Sequence, residues 1–199
     1  MNFVKGAQFY EDLWIIQNEM APKQGVFVEV GAEGGIQLSN TILFEEYLGW
    51  RGLLIEANPE VIEELRHNRP LAKVHHCAIG TDPTQDFYIC DNSRSCGALG
   101  RPVIGGRPVK VPVQRLDTVL DTYGIQKIDL LSLDTEGSEL EVWNTMDHNK
   151  YKPGVVVIEW NTCHLPSNED TILKVFAELP YTFVHKTEAN LIFVRNPEC

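Results

Sequence analysis

No stretch of the 199 residues approaches the ~20 consecutive apolar positions that a membrane-spanning helix needs. Residues 1–9 lack the basic segment and apolar core of a secretory leader, so a cytoplasmic location and no membrane partner are expected. Basic residues are scarce: 17 Lys and Arg stand against 28 Asp and Glu, a net charge of −11. That balance repels a phosphate backbone and disfavours nucleic acid as a partner. The one basic cluster is diluted over Arg94, Arg101, Arg107, Lys110 and Arg115. The five cysteines form an odd set without a CxxC pair, which argues against a disulfide framework and a zinc ribbon, and they read as free thiols. His75 and His76 precede Cys77, but neighbours on a strand point to opposite faces and do not converge on one ion.

What the chain does contain is an alternation of strand and helix patterns. Phe9, Leu13, Ile16 and Met20 recur at helical spacing, predicting a helix over 7–19. Val26-Phe27-Val28-Glu29-Val30 is a short, β-branched run stopped by Gly31, as expected of a strand buried on both faces. A helix over 39–48, a strand over 52–56, a helix after Asn58-Pro59 and a strand over 74–79 follow. Residues 82–115 interrupt the alternation and read as an inserted hairpin, with strands at 86–90 and 109–114 around a mobile Gly- and Arg-rich loop, 91–108. Beyond it come a helix at 116–123, a strand at 128–133, a helix at 137–146, a strand at 155–160, a helix after Asn168 and a closing hairpin, 181–185 with 191–195. Such units predict one α/β domain with a mainly parallel sheet covered on both sides and ligands at the carboxyl ends of the strands.

The polar residues cluster at those ends. Gly31 and Gly35 bracket a tight turn that lets backbone approach a ligand, with Glu29 just inside the strand. The pattern is not GxGxxG, because Glu33 and Ile36 stand where the second and third glycines would be. An acidic turn also suits a pyrophosphate badly. Glu56 ends the next strand, where a carboxylate accepts both hydroxyls of a ribose; the plainer reading is a charge at the entry of the following helix. A phosphate-free nucleoside among carboxylates describes S-adenosylmethionine, whose amino and sulfonium groups are cationic.

Several segments then resemble one family. They are Phe27-Val28-Glu29-Val30-Gly31-Ala32-Glu33-Gly34-Gly35, Ser39-Asn40-Thr41, Gly49-Trp50-Arg51-Gly52, Ile55-Glu56-Ala57-Asn58-Pro59, Arg115-Leu116-Asp117-Thr118 and Ile128-Asp129-Leu130-Leu131-Ser132-Leu133-Asp134-Thr135-Glu136-Gly137-Ser138-Glu139. Together with Ala7-Gln8-Phe9-Tyr10-Glu11-Asp12-Leu13 they resemble the FkbM-type methyltransferases. The turn departs from the family pattern at Glu33, where Asn is common. The resemblance implies a Rossmann-like, seven-stranded sheet whose last strand is antiparallel, S-adenosylmethionine as cofactor, and O-methylation of a hydroxyl on a sugar or another small natural product.

By the resemblance and the strand-end rule, Glu29, Gly31, Ala32 and Gly35 are expected on the methionine and ribose side and Glu56 on the ribose hydroxyls. Cys77 and Ala78 would border adenine, Asp134 would reach the amino group or the reaction centre, and Ser39 would assist unless it only caps a helix. Candidates for taking the acceptor's proton are Asp134 first, then Glu136, Glu159 and His164. For the last three, a helix-end charge, a structural carboxylate and a surface imidazole are equal alternatives. Asp134 and Glu159 could share a divalent ion, but no ligand spacing assigns one, so no metal is expected. The arginines of 91–108 are expected to meet the acceptor, an anionic or sugar-like one. A nucleotide-binding oxidoreductase and a non-catalytic binding domain stay open beside the methyltransferase; oligomeric state is not readable.

Overall fold

The computed structural model describes residues 5–90, 93–102, 105–161 and 168–197, with 93–96 by their backbone alone. Strands β1 (Val26–Val30), β2 (Arg51–Glu56), β3 (Lys73–His76), β9 (Leu130–Leu133), β10 (Val155–Glu159), β11 (Tyr181–Lys186) and β12 (Asn190–Arg195) form one sheet in the order β11-β12-β10-β9-β1-β2-β3. All neighbours pair parallel except β12, which runs antiparallel to both β10 and β11. The strand order therefore reverses between β1 and β9, and a crevice opens at their carboxyl ends.

Period-two alternation sends Val28, Leu131 and Val156 to one face and Phe27, Leu130 and Val155 to the other. The first face is covered by Leu116 and Leu120 of α4 (Leu116–Thr122), Trp143 of α5 (Glu139–Asn144) and Phe176 of α6 (Glu169–Ala177). The second packs under Ile15 of α1 (Glu11–Gln17), Phe44 of α2 (Ile42–Leu48) and Leu65 of α3 (Ile62–Asn68). Each such fully buried side chain contributes roughly 1.5–3 kcal/mol, which makes the strand ends a rigid platform.

Three departures from the sequence reading bear on the crevice. The α2 helix begins at Ile42 rather than residue 39, because Ser39, Asn40 and Thr41 donate to the Glu29 carboxylate instead of entering a helical turn. The strand expected over 74–79 breaks at Cys77: its N–H still bonds Glu56 O, but β4 (Ala78–Ile79) leaves to pair with β8 (Val113–Gln114). The insertion is a three-stranded antiparallel sheet, not a hairpin around a mobile loop: β5 (Phe87–Cys90) lies between β6 (Ser93–Leu99) and β7 (Gly106–Val109). Its Gly97 serves packing, since a Cβ there would come within 2.4 Å of the Phe87 ring. Cys90 of β5 is disulfide-bonded and Cys77 is a buried free thiol, which corrects the reading of all five cysteines as free. No helix among the described residues is long and apolar enough to cross a membrane.

Candidate active site

The glycine turn is shaped from below. Gly31 (φ 87°) and Ala32 donate to Ile55 O at 2.9 and 3.3 Å, tying the end of β1 to the end of β2. A Cβ on Gly31 would stand 1.7 Å from the carbonyl oxygen of Asp134, so glycine is what lets β1 and β9 end side by side. At Gly35 (φ 77°) a Cβ would meet Leu65 and Arg69 of the α3 layer, which explains that glycine without a ligand.

Two of the expected cofactor residues do not line the crevice. Gly35 is one, and Glu29 is the other. The Glu29 carboxylate accepts from Ser39 Oγ (3.0 Å), Thr41 Oγ1 (2.6 Å) and Asn40 N (2.8 Å), with the Arg69 guanidinium 3.8 Å away. Arg69, fully buried, also donates to Gly35 O at 3.0 Å and pairs with Glu45 at 3.1 Å. Burial pushes the Glu29 carboxyl up and Arg69 opposes it. Glu29 thus carries a saturated network under the turn. Nothing in the sequence pattern marked Arg69, which lies 40 residues away.

Gly31, Ala32, Ser39, Glu56, Cys77 and Ala78 do line one crevice. Glu56 is buried, and its carboxylate accepts from Glu33 N (2.8 Å) and Asn58 N (2.6 Å). These donors belong to the two strand-end turns, and α3 begins only at Ile62, so the helix-entry reading of Glu56 is not what the geometry shows. Ala78, Ile79, Phe87 and Leu99 give the crevice an apolar side. The Cys77 thiol there is pushed up to about 12 by burial, then by Glu56, and stays protonated.

Asp134, Glu136 and Glu159 stand together at the other side of the crevice. Asp134 follows β9 directly, its N–H bonding Val30 O at 3.0 Å, and Glu159 ends β10. Burial first, and then the neighbouring acids, raises both carboxyl groups above the ordinary carboxylate range. Glu136, held at φ 56°, is raised to about 7 by burial and Glu139 and lowered by Arg101. No donor among the described residues reaches Glu136 Oε2 or Glu159 Oε2, although both atoms are buried. Glu139, which sequence reasoning left without a role, shapes this turn by accepting from Thr135 N, Thr135 Oγ1 and Gly137 N at 2.8–3.1 Å. Its placement three residues after Glu136, in the first turn of α5, was the available signal.

His164 lies outside the described residues. Of the insertion's arginines, Arg101 donates to the Glu136 carbonyl oxygen at 2.8 Å, and Arg107 pairs with Glu60. No Lys, Arg or His is among the described residues lining the crevice, while Glu33, Glu56, Asp134, Glu136 and Glu159 are. Buried acids with unmatched oxygens in a cleft without basic side chains fit a cationic ligand, as S-adenosylmethionine is.

The family model for the FkbM methyltransferase domain matches residues 29–183. No curated protein matches the chain by sequence. Among solved structures, the chain is similar to precorrin-6y C5,15-methyltransferase from Geobacter metallireducens (TM-score 0.55, 12% identity, 92% of this chain and 86% of that one). It is likewise similar to a putative caffeoyl-CoA O-methyltransferase from Staphylococcus aureus (0.53, 10%, 93% and 80%). A TehB-like SAM-dependent methyltransferase from Corynebacterium glutamicum follows (0.51, 12%, 95% and 89%). At these identities the likeness establishes the class I methyltransferase fold. With the family match over most of its length and an acid-lined crevice at the switch point of its sheet, the chain belongs to the FkbM methyltransferase family and is an S-adenosylmethionine-dependent methyltransferase.

Proposed function

We propose that the protein methylates a hydroxyl oxygen of a sugar or another small natural product. The observation that carries this reading is the division of one crevice: a single ordered carboxylate, Glu56, on the side walled by Ala78 and Phe87, and a cluster of strand-end acids, Asp134, Glu136 and Glu159, on the other. Glu56 would hold the ribose hydroxyls, Gly31 and Ala32 the methionyl side, and Cys77 and Ala78 the adenine edge. When bound, S-adenosylmethionine supplies an electrophilic methyl group on a positively charged sulfur.

The chain's own contribution is alignment and proton handling. The rigid ends of β1, β9 and β10 fix the acceptor oxygen in line with the methyl carbon, a source of several kcal/mol of rate enhancement. Carboxylates that crowded the sulfur would stabilise the ground state, because the positive charge disperses during transfer. Asp134 and its neighbours act better on the acceptor's hydroxyl proton, a contribution of typically ~10²–10⁴-fold.

Methyl-labelled cofactor offered with a panel of hydroxylated acceptors tests the reading, alongside titration with S-adenosylhomocysteine. Transfer that is lost in Asp134→Asn while S-adenosylhomocysteine still binds supports it. Binding without transfer to any acceptor would favour the non-catalytic domain, and absence of binding would refute the cofactor assignment.

A further inference from the structure

Resting on the methyltransferase reading, we propose that the side-chain amides of Gln8 and Gln37 form the subsite for the carboxylate at the methionyl end of S-adenosylmethionine, with the buried Glu11 and Asp12 as positioning residues that hold Gln8 in place. The ligand poses the problem, because its methionyl end carries a carboxylate as well as an ammonium. The acids lining the crevice attract the ammonium and the sulfonium but repel the carboxylate, and no Lys, Arg or His among the described lining residues offsets that repulsion. Neutral donors must therefore receive it.

The amide and hydroxyl side chains among the described lining residues are Gln8, Gln37, Ser39, Asn58, Thr135 and Ser138. A hydroxyl has one proton to donate, and all three here are committed. Ser39 Oγ donates to Glu29 at 3.0 Å, Thr135 Oγ1 to Glu139 at 3.1 Å, and Ser138 Oγ to the Thr135 carbonyl oxygen at 3.2 Å. Asn58 belongs to the Glu56 turn on the ribose side: its N–H donates to that carboxylate at 2.6 Å, and its Oδ1 accepts from Glu60 N at 3.0 Å. The Gln8 and Gln37 amides are left. Both residues are exposed, and neither side chain is hydrogen-bonded to a described residue, so their N–H donors are available to a carboxylate.

The backbone brings the two together and fixes them. Gly6 pairs in parallel with Gln37 and donates its N–H to Ile36 O at 3.2 Å, so the arm 5–10 runs beside the segment that leaves the glycine turn. That segment is pinned in turn by the bonds of Ser39, Asn40 and Thr41 to Glu29. Gln8 lies between two anchored N–H groups: Ala7 N donates to Asp12 Oδ2 at 3.0 Å and Phe9 N to Glu11 Oε2 at 2.9 Å. Both acids are buried, and Glu11 Oε1 also accepts from Thr187 Oγ1 (2.6 Å) and Asn190 Nδ2 (2.9 Å), where β11 turns into β12. At Gly6 (φ 113°) a Cβ would stand 2.6 Å from Asp12 Oδ2, so glycine is what lets the arm close on its anchor. Methyl transfer uses neither Glu11 nor Asp12; holding Gln8 at the crevice gives both a task.

Calorimetric titration with S-adenosylhomocysteine and with its decarboxylated analogue, which keeps the adenosyl group and the ammonium, tests the subsite. The ratio of the two affinities should fall at least about tenfold from wild type to the double variant Gln8→Ala, Gln37→Ala, the scale of one hydrogen bond to a charged group. The analogue itself should bind as before, since two exposed side chains are removed. Gln37→Glu, which puts a like charge in the donor's place, should lower the ratio further than Gln37→Ala, and Asp12→Ala, which frees Ala7 N, should lower it in the same direction. An unchanged ratio in the double variant overturns the subsite, and equal losses for both compounds in Asp12→Ala overturn the positioning role. Wild type that binds neither compound refutes the cofactor reading itself, a result distinct from binding with an unchanged ratio.

Discussion

Two sets of buried carboxylates sit at the carboxyl ends of neighbouring parallel strands and have opposite fates. Beneath the glycine turn, Glu29 is saturated by two hydroxyls, a backbone N–H and the Arg69 guanidinium. At the mouth, burial and mutual repulsion raise Asp134 and Glu159, and Glu136 and Glu159 each keep a buried oxygen with no donor among the described residues. Burial alone does not distinguish these regions, since Glu29 is 2% exposed and Glu159 8%. What differs is completion of the carboxylate: Glu29 is fully matched and holds the fold, whereas the acids at the mouth keep oxygens that no described residue matches and a cationic ligand would.

Variants of the two regions should therefore fail differently. The largest effect is expected for Asp134→Asn, with methyl transfer reduced ~10²–10⁴-fold and the thermal midpoint close to wild type, measured by label transfer and calorimetry. In the saturated region, Arg69→Met leaves Glu29 and Glu45 as uncompensated buried charges and should cost about 3–5 kcal/mol of unfolding free energy in urea titrations. The triple variant Arg69→Met, Glu29→Gln, Glu45→Gln should recover much of that, because removing all the charges removes the mismatch. Glu56→Gln should weaken S-adenosylhomocysteine binding by the value of a charged hydrogen bond, roughly 1.5–3 kcal/mol, and should also lower unfolding free energy by about 1–3 kcal/mol, because the amide oxygen can accept from only one of Glu33 N and Asn58 N. The smallest effect carries the opposite sign: Glu159→Gln should stabilise the ligand-free protein by about 1 kcal/mol, since sites that hold unmatched acids do so at the expense of stability. A Glu159→Gln protein that unfolds more easily than wild type would blur the division between the two regions.

The strand sequence and the crevice were legible because β1, β2, β9 and β10 are short apolar runs ending in polar residues, and the strand-end rule then places Glu56, Asp134 and Glu159 together. The reading of Glu29 as a cofactor residue missed its partner, because Arg69 enters from the end of α3 and sequence spacing does not reveal which helix covers which strand end. The insertion was misread for a related reason. Its glycines resemble those of a loop, and their packing role at Gly97 appears only once β6 lies against Phe87. Arg101, expected at the acceptor, donates to the carbonyl oxygen of the crevice-lining Glu136 and braces the acidic turn from the inserted sheet, a contact that sequence spacing does not reveal. The acidity of the mouth was written in the sequence; that no Lys, Arg or His stands among its described lining residues became visible only with the fold in place.

The most direct single measurement compares S-adenosylhomocysteine with its 2′-deoxyribose analogue by calorimetry on wild type and on Glu56→Gln. Wild type should bind the deoxy compound at least tenfold more weakly, and the variant should bind both alike, because the hydroxyl and its acceptor are removed in turn. Equal affinity of wild type for the two compounds, or no affinity for either, would contradict a crevice built around Glu56 for an adenosyl cofactor.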